Sequence, residues 1–474
     1  MTWLFFALGF CLYAGALTLR HLWFQTSAWD LAIFDQAVYL ISQGLPAQSS
    51  LLGHHILADH GAFVLVPLGW LSRLIPSPAL LFLVQSAALA GAVFPLAALA
   101  RWRGLSRSAT AASLAMLLLY PVVFNTAIFD FHPETLAFPL VMQALWWLER
   151  RAAGDELRVF FVLLLALTCK VGLALLVLGI GGILLLQARR RIGGCLLGLA
   201  VAWFAAVGTW LIPLLGGGQA ELMRHAGKFG LGQADLAAGH LDWLVVLGRL
   251  ISQLFSLASG EYLLLLLLPV LYVLLHRQRG RFFFALLPFA PLMVLNLAAS
   301  RPAMKDLVHH YSLLLVPFLA LAVQQTLAPG RHGIGDYPSW CLGRVPAVVI
   351  AWALITFLLF SRIGFFLGSF QEHRDHLGAM RESLTRVDPR GALLVSNNFA
   401  PHVSHRQQLS IVSAKQMQRL DHYDQILLDA RHPGFEASPS LLRKLRQRLQ
   451  TMPEFRLIFN RDDIWLYQNS RRKS

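Results

Sequence analysis

Apolar runs broken by short polar links recur along most of the chain, at roughly 2–19, 78–100, 108–128, 136–149, 158–169, 173–188, 192–214, 260–276, 282–299, 310–328 and 345–368. A helix needs ~20 predominantly apolar residues to cross a hydrocarbon core of ~30 Å. The pattern predicts a polytopic α-helical membrane protein with about 11 transmembrane helices. The run 62–75 is shorter and carries Pro67 and Arg73, which predicts an interfacial or re-entrant helix. From about residue 371 the pattern becomes that of a soluble α/β domain. Residues 391–396, 425–429 and 464–467 read as strands, and Ser440–Thr451 as a helix with Leu441, Leu442, Leu445 and Leu449 on a shared side. The expected division is a transmembrane domain over 1–370, with outer loops 20–61, 129–135 and 215–259, and a small extracytoplasmic α/β domain over 371–474. A domain of ~100 residues is large enough to fold alone.

Composition agrees with the pattern. Of 474 residues 56% are hydrophobic and 14% charged, against about a quarter charged in soluble proteins. The net charge of +15 does not indicate nucleic acid. Its arginines sit in short links, as the positive-inside rule expects of cytoplasmic loops. The groups are Arg101/Arg103/Arg107, Arg150/Arg151/Arg158, Arg189–Arg191 and Arg277/Arg279/Arg281. If all face the cytoplasm, 62–75 is not a crossing and 158–188 crosses twice, with Lys170 at the outer turn. The N-terminus is then inside and the C-terminal domain outside. Residues 1–19 lack a basic start and a small-residue cleavage site, so they read as an uncleaved first span. The four cysteines lie in or beside apolar runs and suggest no disulfide framework.

The chemistry-bearing residues gather on the outer side. Asp30 and Asp35 open the first outer loop. A five-residue helical step would set them about 140° apart, so they do not form a paired-carboxylate site. Asp30 is expected to cap a short helix, Leu31 to Ile41, and is the first choice for a general base. His54, His55, Asp59 and His60 admit a divalent cation such as zinc or manganese, although adjacent histidines are not a specific signature. The cofactor therefore stays open, and His60 is assigned to a polar pocket. Phe129-Asp130-Phe131-His132-Pro133-Glu134 puts three ionisable side chains in a turn beside hydrocarbon, with Asp130 as the second acid and His132 and Glu134 as pocket residues. Lys170, isolated among apolar residues, suits a phosphate. Arg224, Lys228, Arg301 and Lys305 could add cationic character, and His309-His310-Tyr311 offers amphipathic rings for a lipid head group. No P-loop, dinucleotide fingerprint or nucleophile elbow is present.

Several of these segments carry a family resemblance. Trp29–Gln36, Asp59-His60, Val66-Pro67-Leu68, Pro76-Ser77-Pro78, Phe129–Glu134, His310-Tyr311-Ser312, and Asn398–His402 with Arg406 resemble a family of bacterial membrane proteins known as domain of unknown function 2079. That family in turn resembles the GT-C glycosyltransferases. There the first outer loop carries an Asp, often in an Asp-Glu pair, and a second acid comes from the next outer loop. Asp30 and Asp130 match these positions, with Leu31 in place of the Glu. Thr168-Cys169-Lys170 is similar to a Thr-x-Lys turn of these enzymes, but Val171 and Gly172 follow instead of acids. Neither departure favours a metal at those positions.

The resemblance implies an inverting transferase of the bacterial inner membrane that uses a polyprenyl-phosphate-linked sugar and an extracytoplasmic acceptor. Asp30 would orient or deprotonate the acceptor, Asp130 would assist, and Lys170 would lie near the lipid phosphate. Membrane lipids are the other implied partners. The residues by themselves also admit a transporter or flippase, or a non-catalytic envelope protein. Against transport, 192–368 shows no inverted repeat of the 1–188 pattern.

Overall fold

The computed structural model describes residues 1–216, 243–330, 333–434 and 436–471. Arg224, Lys228 and residues 217–242 of the expected loop 215–259 lie outside the described residues. The chain forms two compact units, one of 1–14, 57–63 and 84–362, the other of 15–56, 64–83 and 363–474. These units do not follow a boundary at 370.

The first unit is helical. Among the described residues of the whole chain, seven helices are long and apolar enough to cross a membrane, or up to eight if Arg107–Leu118 and Pro121–Ile128 are taken as one bent span. Pro121 explains that bend, since it supplies no amide donor to the preceding turn. The expectation of about eleven counted apolar runs whose helices are shorter. Runs 136–149, 158–169 and 173–188 appear as Ala137–Arg150, Asp155–Leu167 and Ala174–Leu186, of 14, 13 and 13 residues. Hydropathy measures the length of an apolar run, whereas helix length also depends on where turns interrupt it. Phe161, Leu165, Leu186, Val201 and Trp210 are exposed, an apolar exterior suited to lipid.

These short helices give the first unit its polarity. Ala137–Arg150 carries the chain ~21 Å by helical rise, from the Glu134 turn to Arg150. Asp155–Leu167 returns to Lys170, and Ala174–Leu186 leads out again towards Arg189. At the Arg150 end a cavity of about 700 Å³ is lined by Arg103, Glu149, Arg151, Arg189, His276 and Arg281. One arginine from each of the four basic groups reaches it, so those groups share one end of the unit.

The second unit contains a five-stranded sheet in the order Leu409–Ile411, Leu393–Val395, Gln425–Asp429, Ile464–Asn469, Phe455–Arg461. The first three strands are parallel, and the last two join antiparallel. Three strands and the helix Pro439–Gln450 coincide with expected elements. Leu409–Ile411 and Phe455–Arg461 are additional.

Every residue of Gln425–Asp429 is buried, so both sheet faces need cover. One face, with Leu394, Ile426, Leu428 and Trp465, packs on Leu442, Leu445 and Leu449 of the C-terminal helix. The other, with Leu393, Val395, Leu427 and Leu466, packs on Leu377 and Met380 and on Phe24, Ala28 and Ala32 from the first loop. The sheet thus completes its core with residues more than 350 positions upstream in the chain. The segment 62–75 contributes the seven-residue helix Leu65–Leu71, which is too short to cross a membrane. It packs against Ile33–Ser42, and a Cβ on Gly69 would lie 2.4 Å from Ile41 Cγ2. Its Trp70, with Leu74 just beyond, is exposed.

A fragment of 371–474 expressed alone should therefore be aggregated or lack fixed packing, because Val395, Leu427 and Leu466 lose part of their cover. Near-UV circular dichroism and size exclusion check this. A monomeric fragment with native-like near-UV signal would show that the first loop is dispensable to the sheet.

Candidate functional site

In the first unit, the polar residues of three sequence-distant turns meet around Glu134. Lys170 Nζ donates to Glu134 Oε1 at 2.6 Å, and His310 Nε2 lies 3.1 Å from the same oxygen. The Lys170 and His310 nitrogens are 3.4 Å apart. The His132 and His310 rings stack at 4.1 Å, and Lys170 Nζ is 5.8 Å from the Tyr311 ring centre. Glu134 Oε2 and His310 Nδ1 are buried with no hydrogen-bond partner among the described residues. Asp59 and His60 form a close pair in the helix Leu57–His60. They act on the group through charge, His60 on Glu134 and Asp59 on Lys170.

Lys170, isolated in sequence, is thus an ion-pair partner in three dimensions. Burial by itself raises the Glu134 carboxyl, but Lys170 first, then His310, His132 and His60, overcome it and hold the acid well below its ordinary range. Burial likewise lowers Lys170, and Glu134 more than reverses it. Both groups therefore stay charged. The lysine has three donors, and the hydrogen bond to Glu134 uses one of them.

The turn carrying this acid is built by Gln85, which the sequence reading did not single out. Its Nε2 donates to the carbonyls of Ala127 (3.2 Å) and Asp130 (2.9 Å), and its Oε1 accepts from the His132 amide (2.9 Å) and Thr135 Oγ1 (3.3 Å). An amide side chain inside the apolar run 78–100 was the available signal, and the structure buries it fully. Asp130 itself is fully buried. A second network was also missed. Tyr262 Oη meets Ser312 Oγ at 2.6 Å, and Asn296 Nδ2 donates to Tyr262 Oη and the Tyr311 carbonyl, both at 3.3 Å. It fixes the backbone that presents His310 and Tyr311. Arg301 is exposed at the start of the turn Pro302–Lys305, and among the described residues no hydrogen bond or ion pair joins it to the Glu134 group.

Asp30 and Asp35 lie in the second unit. The helix begins earlier than expected: Ala28–Ala32 forms a π-type turn that continues into Ile33–Ser42. Asp30 is therefore inside the first turn instead of capping Leu31, and it accepts from Ser27 Oγ at 3.3 Å. It is half-buried. The cause is tertiary: the Ala28 amide donates to Asn397 Oδ1 at 3.2 Å, so the sheet region supplies a partner at the helix start. Asp35 is fully buried, accepts from Ser404 Oγ, and lies 3.3 Å from His405 Nε2. The His405 ring stacks on Tyr39 at 4.8 Å. Gln36 donates to the Arg406 carbonyl at 3.0 Å. His54 and His55 form a short strand pairing with Gln48–Ser49 in this unit, whereas Asp59 and His60 belong to the first.

The family described as "Predicted membrane protein (DUF2079)" matches residues 20–466. The chain belongs to this family. No curated protein matches the sequence. The fold is similar to that of ArnT from Cupriavidus metallidurans, in a crystal structure bound to undecaprenyl phosphate. The TM-score is 0.52 at 11% identity, covering 98% of this chain and 97% of that one. The apo state of the same protein gives 0.51 at 12% identity with the same coverage. At such identity the likeness establishes the fold. The chain thus has an ArnT-like fold.

Removing one partner of a buried ion pair strands the other, at a cost of about 3–5 kcal/mol. Lys170→Met should lower the unfolding temperature in detergent markedly, and Lys170→Met with Glu134→Gln should recover much of the loss. Additive effects would show that the pair is not coupled. In the second unit, burial opposes protonation of His405, but its hydrogen bond to Asp35 and the Asp35 charge raise it above its ordinary value of 6.5. This stabilisation is complete below that value and is lost as pH rises through the raised one. Asp35→Asn should therefore destabilise more at pH 6 than at pH 8, read as the difference in unfolding temperature from wild type.

Proposed function

We propose that the chain is a GT-C-type membrane glycosyltransferase that moves a sugar from a polyprenyl-phosphate-linked donor to an extracytoplasmic acceptor. The observation that carries this reading is the fold likeness along 98% of the chain to a protein crystallised with undecaprenyl phosphate. The acids and the lysine suit that chemistry. An acceptor hydroxyl oxygen attacks the anomeric carbon, and the bond from that carbon to the phosphate oxygen breaks. The electron pair leaves with the polyprenyl phosphate, inverting the anomeric centre. Asp30 takes the hydroxyl proton, and Asp130 assists. Lys170, with His132 and His310 beside it, offers donors to the leaving phosphate, while Glu134 keeps the lysine in place and charged. Tyr311 and His60 complete the polar surroundings. Asp35 and Arg301 are given supporting contacts to substrate.

The reading places the chain in the bacterial inner membrane with the N-terminus cytoplasmic. The cavity lined by Arg103, Arg151, Arg189 and Arg281 then belongs to the cytoplasmic end, as basic loops do. The sheet-bearing region is extracytoplasmic, and the helix Leu65–Leu71 lies at the interface with Trp70 towards lipid.

Reconstitution with polyprenyl-phosphate sugars tests the proposal. Loss of a general base removes roughly 10²–10⁴ of rate, so Asp30→Asn should lower kcat by that order and Asp130→Asn by less. Transfer undiminished in both variants would remove the catalytic assignment. Accumulation of intact solute inside vesicles, unaffected by either change, would establish transport instead.

A further inference from the structure

Beyond the transferase reading, a histidine cluster in the second unit is left without a role. It joins the segment His373–His376, at the end of the helix Ile363–His373, to the loop following the central strand Gln425–Asp429. Ring centres are 4.0 Å apart for His373 and His432, 4.8 Å for His376 and His432, and 6.2 Å for His373 and His376. One donor atom from each of Asp375, His376 and His432 falls within 4.8 Å of the other two. We propose that Asp375, His376 and His432 bind one divalent transition-metal ion of the zinc class, with His373 adjacent as a fourth imidazole.

The donor set selects the class. Imidazole nitrogen with one carboxylate suits zinc and its neighbours and disfavours magnesium or calcium, which take oxygen ligands. Tetrahedral bonds of ~2.0–2.1 Å hold donors ~3.3 Å apart. The side chains therefore need to close by ~1.5 Å or less, which rotamer adjustment supplies.

The supporting contacts are those that orient metal ligands. His376 is 1% exposed, and its Nε2 lies 3.2 Å from Asp429 Oδ2, which directs Nδ1 to the Asp375 side, 3.1 Å from Asp375 Oδ1. The other Asp375 oxygen pairs with Arg431, which also contacts Asp463 Oδ2 at 3.1 Å. Asp429 Oδ1 accepts from the amides of Arg431 (3.1 Å) and His432 (2.8 Å), fixing the loop that carries His432. The ring of His373 is set by Nδ1 against the Ser369 carbonyl at 2.6 Å. Asp375 is 54% exposed and gives an ion a route from solvent. The cluster also lies at the carboxyl end of a parallel strand, where open α/β sheets place their ligands. An ion there would tie the chain entering the sheet region to the sheet's central strand.

The test uses full-length protein in detergent, stripped with chelator and desalted, then titrated with Co²⁺ alone. Expected are one equivalent with visible d–d absorption, displacement by Zn²⁺, and a Zn²⁺-dependent rise in unfolding temperature. Asp375→Asn and His432→Ala should weaken binding by about 10–100-fold, with metal-free unfolding temperatures near that of wild type. Asp375 is exposed, so its substitution probes ligation without opening the core. His310→Ala, which alters the Glu134 group, should leave the absorption intact. The proposal is overturned if neither ion binds, if Asp375→Asn and His432→Ala bind as wild type does, or if His310→Ala abolishes the signal.

Discussion

A charge placed beside hydrocarbon has to be neutralised or given access to water, and the polar end of the first unit is organised around that requirement. Lys170 meets Glu134 at 2.6 Å, although 36 residues and two helices separate them. The contact requires Ala137–Arg150 and Asp155–Leu167 to run out and back over nearly equal lengths. The network through Gln85 shapes the turn that supplies the acid. The network of Tyr262, Asn296 and Ser312 supports the backbone of His310 and Tyr311. Loss of the pair would leave one charge stranded in low dielectric, so the rest of the group depends on it.

The second unit answers a different constraint. A central strand buried on both faces needs two apolar covers, and the C-terminal sequence alone supplies one of them and part of the other. Phe24, Ala28 and Ala32 complete the second. The same packing brings Asn397 to the start of the helix that carries Asp30. It also sets Ser404 and His405 on Asp35. The placement of the first loop's acids is therefore a property of the sheet region as much as of the loop.

Much of the candidate site was legible because each piece is local. Asp130, His132 and Glu134 crowd one short turn, Lys170 interrupts a long apolar run, and His310-Tyr311 opens another. Their convergence on one carboxylate was not legible, since nothing in spacing says which turn meets which. Gln85 left a faint trace as an amide in an apolar span. Ser404 and His405 left none, because their meaning depends on an aspartate 369 and 370 positions away. The histidines at 373, 376 and 432 share no sequence motif, and the fold of the sheet region is what brings them together.

By itself the sequence determined the class: recurrent apolar runs, basic links and a terminal α/β pattern. Those properties follow from transfer energies and from 3.6- and 2-residue periods, which are written locally along the chain. Tertiary structure decided the rest: how long each helix is, that Asp30 lies inside a helical turn, that Lys170 is paired, and that a sheet borrows its core from the first loop. Each of these depends on which distant groups meet to satisfy a buried charge, a helix amide or an apolar face.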